Sequence, residues 1–385
     1  MDPESAASPL FRLIIGDHAV NAHGHARPLV VFQWAAAAVE AGGRAQIILG
    51  RDTMYDYPAG EYLFVDFGGL PSRKQKMADV ALARLGFPRP FISQAYLPAV
   101  KAVDRSFSGT LFIQNTPAPT RQFKRRCPKA RVCINLYNSL FDTYDSRELH
   151  RTIDAADMVM PNCEFLANEL RSRLKHGTEK IRTVYNGVDT KRFVPRPELM
   201  PRDEVVILFV ARMIPNKGAD LLIEAARKIQ SKKRRFKLRI VGSDGFNANT
   251  PLTPFEVELR KMAAPLGESV EFLPFMDRHN ILPVYQSASI FCAPSNWDEP
   301  CTLTIPEAMS CGIPIVTSRR GGIPEIGKDA VLYFDTPNTD QLADQLAYLI
   351  DDEKARAEWG RRSRARAEEI DWAVQYRVQR EVLAS

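Results

Sequence analysis

The sequence predicts an α/β protein made of two Rossmann-like, doubly wound domains. Three observations carry this. The chain has 385 residues, more than one hydrophobic core usually serves. Short apolar runs alternate with longer helix-period segments along it. A polar, proline-bearing stretch interrupts the middle, after which the same alternation begins again. Apolar residues make up 45% and charged residues 25%, the mix of a globular protein rather than of a disordered, fibrous or membrane chain.

Taken in order, Leu10 to Ile15 reads as a strand, Arg27 to Glu40 as a helix closed by Gly42-Gly43, and Gln46 to Leu49 as the next strand. Strand-like runs follow at Thr110 to Ile113, Arg131 to Leu136, Met158 to Met160 and Ile181 to Val184. The segments between them are able to carry helices, as a parallel sheet covered on both faces requires. Between Asn186-Gly187 and Pro201 the run Val194-Pro195-Arg196-Pro197 marks a linker, and Val205 to Val210 opens the second half. Strands are expected there at Leu238 to Val241, Val270 to Leu273, Ser289 to Ala293 and Pro314 to Thr317, with helices at Ala219 to Gln230 and Gln341 to Leu349. The domains are therefore drawn at 1–195 and 196–365. The tail Glu353 to Ala384 has continuous helical character, and its last part, about 366–385, is expected to pack back on the first domain.

The net charge of +6 favours acidic ligands. Basic residues concentrate at Arg121, Lys124, Arg125, Arg126, Lys129 and Arg131, and again at Lys232-Lys233-Arg234-Arg235, without the interleaved aromatics that stack on bases. Nucleic acid is not expected as a partner. Solvated faces explain both clusters, and for the first an anionic membrane surface is the alternative. The six cysteines form no C-x-x-C pair and no zinc spacing, which fits a reducing compartment. The acidic start, Met1-Asp2-Pro3-Glu4-Ser5, lacks a basic region followed by an apolar stretch, and no run reaches the roughly 18 apolar residues that span a bilayer. A cytoplasmic location is expected, with peripheral contact at the inner face of the membrane as its extension.

The most informative stretch runs from Asn296 to Pro314 and follows a strand at its carboxyl end, where ligands bind in open parallel sheets. Thr304-x-x-Glu307 fits a capping box for a short helix starting near Ile305 and ending at Gly312. The peptide groups of Cys301, Thr302, Leu303 and Thr304 then face the position where a pyrophosphate binds a helix N-terminus. Glu307 either caps that helix or bonds a ribose. Glu299 precedes Pro300 and is biased to an extended loop conformation, where a solvated acid is the ordinary alternative to a ligand contact. After Val205 to Val210, Arg212 and Lys217 put a planar fork and a mobile charge at the same edge, suited to a diphosphate or simply solvated. Gly242, in Val241-Gly242-Ser243-Asp244-Gly245, resembles a phosphate-contacting turn but lacks the G-x-G-x-x-G of a dinucleotide-dependent oxidoreductase and the P-loop pattern. His18, His23 and His25 have no acidic partner at ligand spacing, so no metal is assigned.

As a set these residues resemble the retaining glycosyltransferases of the GT-B fold, in particular glycosyltransferase family 4, over nearly the whole chain. The resemblance rests on Glu299 and Glu307 with seven residues between them, on Glu-Pro…Pro-Glu-Ala-Met-Ser-Cys-Gly-Ile-Pro, and on Ala293-Pro294-Ser295. It rests also on Gly321-Gly322-Ile323-Pro324-Glu325, Arg212 with Lys217-Gly218, and Tyr185-Asn186-Gly187-Val188-Asp189. It implies two facing domains with a cleft between them, the second binding a UDP- or GDP-type nucleotide sugar. Arg212 and Lys217 would hold the donor diphosphate, Glu299 the sugar hydroxyls and Glu307 the ribose, with Phe275 and Met276 near the base. It further implies same-face substitution assisted by the departing phosphate, with no enzymic nucleophile, cofactor or metal, and a saccharide or lipid-linked acceptor in surface polysaccharide or glycoconjugate synthesis.

The departures lie in the first domain. The usual Gly-Gly loop is replaced by Asn21-Ala22-His23-Gly24-His25, and Tyr137, before Asn138, stands where relatives often have a histidine. Thr302 stands where many have Gly. These positions mark the acceptor or sugar pocket and leave the donor sugar open. A non-catalytic nucleotide-sugar-binding protein is the alternative they motivate.

Overall fold

The computed structural model describes residues 10–14, 29–50, 60–67, 71–140, 143–201, 203–245 and 248–385. The chain divides into two compact units, Met1–Tyr185 with Trp372–Ser385, and Asn186–Asp371. The boundary lies ahead of the 195/196 division drawn above, because the proline-bearing segment is docked on the second unit. Phe193 is fully buried. Its carbonyl accepts from Ser310 Oγ at 2.6 Å and from Arg364 Nη1 at 2.9 Å, and Gln286 Nε2 donates to Val194 O at 2.9 Å.

The first unit is built on β1 (Leu10–Ile14), β2 (Arg44–Gly50), β3 (Glu61–Val65), β4 (Thr110–Gln114), β5 (Arg131–Leu136) and β6 (Met158–Pro161). They pair in parallel in the order β3-β2-β1-β4-β5-β6. Ile47, Ile48 and Leu49 in β2 and Leu111, Phe112 and Ile113 in β4 are all buried, so these runs are continuously apolar because helices cover both faces. The helix Trp372–Ala384 belongs to this unit, with Trp372 edge-on to Trp34 at 5.1 Å and Arg131 Nη1 donating to Leu383 O.

The second unit uses β7 (Val206–Val210), β8 (Lys237–Val241), β9 (Val270–Leu273), β10 (Ile290–Ala293), β11 (Ile315–Ser318) and β12 (Leu332–Phe334). Their order is β12-β11-β10-β7-β8-β9, again all parallel. Counted from its own first strand, each sheet has the order 3-2-1-4-5-6, the doubly wound arrangement whose direction reverses between the first and fourth strands. In the second unit that switch point lies between β7 and β10, which pair at Ile207 and Leu208 with Ile290 and Phe291.

Three expectations change. The edge strands β3 and β12 were not expected, although the apolar runs Tyr62 to Val65 and Ala330 to Phe334 form them. Ile181 to Val184 makes only a single bridge, Ile181 with Val159, and two backbone bonds beside β6, from Arg182 N to Val159 O and from Val184 N to Pro161 O, each 3.0 Å. The tail is not one helix. It breaks between Glu353–Glu369 and Trp372–Ala384, where Ile370 O accepts from Val188 N at 3.0 Å and the Asp371 carboxylate holds Thr190 N at 3.2 Å and its hydroxyl at 2.6 Å. Bonds to the 188–190 segment replace the helical ladder at that point.

No disulfide forms among the described residues, and five of the six cysteines are buried. Burial pushes the Cys133 and Cys311 thiols up to about 12, away from reactive thiolates. No helix among the described residues is long and apolar enough to cross a membrane.

Candidate active site

The site of the second unit is assembled by close backbone approach at the carboxyl ends of β7, β8 and β10. Past β7, Ala211 N donates to Val241 O at 3.2 Å and Met213 N to Ser243 O at 3.0 Å. Gly242 has φ +142°, and a Cβ there would lie 1.9 Å from Ala211 O, so only glycine lets the two loops meet. Gly218, φ +74°, opens the helix Ala219–Ser231, and a Cβ on it would lie 2.0 Å from Pro294 O. Asn296 N donates to Asn216 O at 2.9 Å. The 212–218 loop is thereby fastened against the loop leaving β10.

That fastening brings Lys217 to Glu299 as an ion pair across 82 residues of chain. Glu299 is 6% exposed, which removes the solvated-acid reading. Its Oε2 also accepts from Trp297 Nε1 at 2.9 Å and Ser295 Oγ at 3.4 Å, and its carbonyl accepts from Gly322 N at 2.8 Å. Arg212 is exposed, and no carboxylate among the described residues is ion-paired with it. Arg212, Lys217 and Glu299 line one cavity of about 310 Å³ together with Gly242, Phe275, Met276, Cys301, Thr302, Leu303 and Thr304. Its volume is at the lower end of small-molecule sites, and it sits at the switch point.

Glu307 is not among the residues lining that cavity, and the capping box is not formed. The helix is Thr304–Ser310 with Leu303 as its cap and no side-chain cap bond. Thr304 is already helical, and its hydroxyl lies 2.9 Å from that of Thr302. Glu307 instead accepts the Tyr285 hydroxyl at 3.0 Å and lies 3.6 Å from Arg278 Nη1. Burial raises its carboxyl above the usual range, opposed by Arg278, by the Tyr285 hydrogen bond and by Arg192.

In the first unit Tyr137 follows β5. Its hydroxyl donates to Gln114 Oε1, and its backbone N donates to Asn115 Oδ1 at 3.1 Å. Burial holds the phenol well above its ordinary value. Asn138 beside it is exposed. His23 and Gly24, like His18 and His25, lie outside the described residues. Four partners carried no role in the sequence reading: Ser295 and Trp297, which hold Glu299, and Tyr285 and Arg278, which hold Glu307. The first two stand inside the motif stretch and were legible as neighbours. The second two are far from Glu307 in the chain and gave no signal.

Two doubly wound units, the second carrying two cations and a buried acid at its switch point, have the architecture of the GT-B fold. Residues 190–366 match the family model described as glycosyl transferases group 1. Among curated relatives, the spore coat protein SA of Bacillus subtilis is 28% identical over 272 residues, covering 66% of this chain and 72% of the relative. A D-inositol 3-phosphate glycosyltransferase of Saccharomonospora viridis is 30% identical over 238 residues, 58% of this chain and 54% of the relative. Among solved structures, HepE of Anabaena in complex with UDP and glucose superposes with a TM-score of 0.71 at 17% identity, covering 98% of this chain and 100% of that one. A glycosyltransferase of Rickettsia africae gives a TM-score of 0.72 at 16% identity, with 97% of each chain covered.

Proposed function

We propose that this chain transfers a sugar from a UDP- or GDP-type nucleotide sugar to a saccharide or lipid-linked acceptor, with retention of configuration, in surface polysaccharide or glycoconjugate synthesis at the cytoplasmic face of a membrane. The observation that carries the reading is the placement of Arg212, Lys217 and Glu299 on one cavity at the switch point. The UDP and glucose held by HepE, a structure of the same fold, support it.

In this reading Arg212 and Lys217 provide fixed positive charge where the diphosphate departs. A diphosphate near Lys217 competes with Glu299 for its ammonium group. Glu299 keeps its Trp297 and Ser295 donors in the exchange, so the acid stays oriented while it takes up sugar hydroxyls. Cys301 to Thr304 border the diphosphate, Phe275 and Met276 flank the base, and Glu307, one helical turn further and outside the cavity lining, holds the ribose only by turning from Tyr285 and Arg278. The glycosidic bond to phosphate breaks as the acceptor oxygen bonds the anomeric carbon from the same face, and the departing phosphate oxygen takes the acceptor proton. No protein nucleophile and no metal enter this sequence. Tyr137, Asn138, His23 and Gly24 serve the acceptor or the outer end of the sugar.

Lys217→Ala tests the role of the cation. Turnover should fall on the order of 100-fold, the cost of one lost transition-state donor. Turnover equal to that of the unaltered enzyme removes Lys217 from the mechanism.

A further inference from the structure

The first unit holds a cavity of its own, about 590 Å³, walled by the turn at 86–90, the helix Thr120–Arg126 and the helix Ser146–Ala155. Four arginines line it, Arg89, Arg121, Arg125 and Arg151, against one acid, Glu148. Glu148 is already committed. Arg89 grips it in a buried two-point pair, Nε to Oε1 at 2.6 Å and Nη2 to Oε2 at 2.8 Å, with the guanidinium 3.8 Å from the Tyr144 ring centre.

Of the other three, Arg121 and Arg151 are oriented without being neutralised. Arg151 donates to Gly86 O and, at 3.4 Å, to Ala83 O, while Arg121 Nε donates to Arg151 O at 3.3 Å. No carboxylate among the described residues is ion-paired with Arg121, Arg125 or Arg151. Three other members of the same basic cluster behave differently. Lys124 pairs with Asp157 at 2.6 Å, Arg126 caps Val103 O and Lys101 O, and Arg131 caps Leu383 O. Apart from the exposed Lys129, the cluster thus separates into cations that hold the fold together and cations that converge on a cavity.

Guanidinium groups gathered without counter-charge fit phosphate, which accepts their paired N–H groups. One further feature bears on the ligand. Phe87, 57% exposed, and Leu97, 36% exposed, give the cavity an apolar flank.

We propose that this cavity binds a phosphate ester, either free or as the headgroup of an anionic phospholipid, through Arg121, Arg125 and Arg151. The test uses the full chain and two probes: glycerol 1-phosphate by calorimetry, and flotation with phosphatidylcholine vesicles with and without phosphatidylglycerol. Arg121→Ser with Arg125→Ser should weaken binding on the order of tenfold or more. Lys74→Ser with Lys76→Ser, exposed cations of the same unit that do not line the cavity, should leave it unchanged. Binding of glycerol 1-phosphate that the arginine variant loses identifies a free ester. Binding confined to phosphatidylglycerol vesicles, and lost in that variant, identifies a lipid headgroup. The proposal is overturned if neither probe binds, if the arginine variant binds like the parent, or if the lysine variant loses as much.

Discussion

Replacing Tyr285 by Phe isolates one hydroxyl in the support of Glu307. The ring is fully buried and contacts the Phe193 and Phe291 rings at 5.8 Å each, and phenylalanine keeps those contacts. What is lost is the 3.0 Å bond to Glu307 Oε2, which leaves the carboxylate with Arg278 at 3.6 Å. A hydrogen bond to a charged group contributes about 1.5–3 kcal/mol net. For a unit of this size about 2 kcal/mol lowers the melting temperature by about 4–8 °C. The pH dependence sharpens the test. Glu307 titrates above its ordinary value of 4.5, and the Tyr285 bond acts to lower it. A raised acid disfavours the fold progressively as pH climbs from the unfolded value through the folded one. Removing the hydroxyl enlarges that deficit only where the carboxyl is ionised. The gap between parent and variant should therefore be full near neutrality and shrink as pH falls toward 4.5, measured by thermal unfolding across that range. A gap that does not change with pH would refute a bond to the charged carboxylate, and no gap at all would refute the bond.

Glu148→Gln leaves Arg89, 8% exposed, facing a neutral amide, and breaking a buried pair on one side costs about 3–5 kcal/mol; urea unfolding followed in the first unit should show a loss of that order. Gly218→Ala forces a side chain into φ +74° against Pro294 O, so the 212–218 loop must lift away from the loop leaving β10; donor affinity should drop on the order of tenfold or more together with stability, and wild-type affinity would show that this approach does not position Lys217. Because Arg212 and Lys217 supply the positive charge in the proposed mechanism, incubation with EDTA should leave turnover within about twofold; a loss restored by a divalent cation would overturn metal independence.

Sequence reading located the central strands of both sheets and, at their edges, β6 and β9. Arg131 to Leu136 and Val270 to Leu273 were placed with their observed bounds, while the short apolar runs of the edge strands β3 and β12, which periodicity alone does not distinguish from buried helix segments, were passed over. The tail break at Ile370 and Asp371 was illegible for another reason. Nothing local interrupts the helix there; the interruption comes from Val188 and Thr190, far away in the chain. The same limit applies to Glu307. Its spacing from Thr304 satisfied a capping box, and only Tyr285 and Arg278 show that its carboxylate is turned elsewhere. Local grammar describes what a residue is able to do with near neighbours, whereas a buried charge answers to whatever the fold brings beside it.

The motif order itself has a physical cause. In a parallel sheet every strand delivers its carboxyl end to one edge, so loops widely separated in the chain return to a single place. Lys217 arrives after β7, Gly242 after β8, Phe275 and Met276 after β9, Glu299 after β10, and Gly322 after β11. Glu299 is fixed by three of these returns. Its carboxylate meets Lys217, its carbonyl meets Gly322 N, and its own loop supplies Trp297 and Ser295. A lone glutamate in such a loop would be solvated, and a lone lysine equally so. Here each is the other's reason for being buried, which is why neither signal was specific alone while the ordered set was.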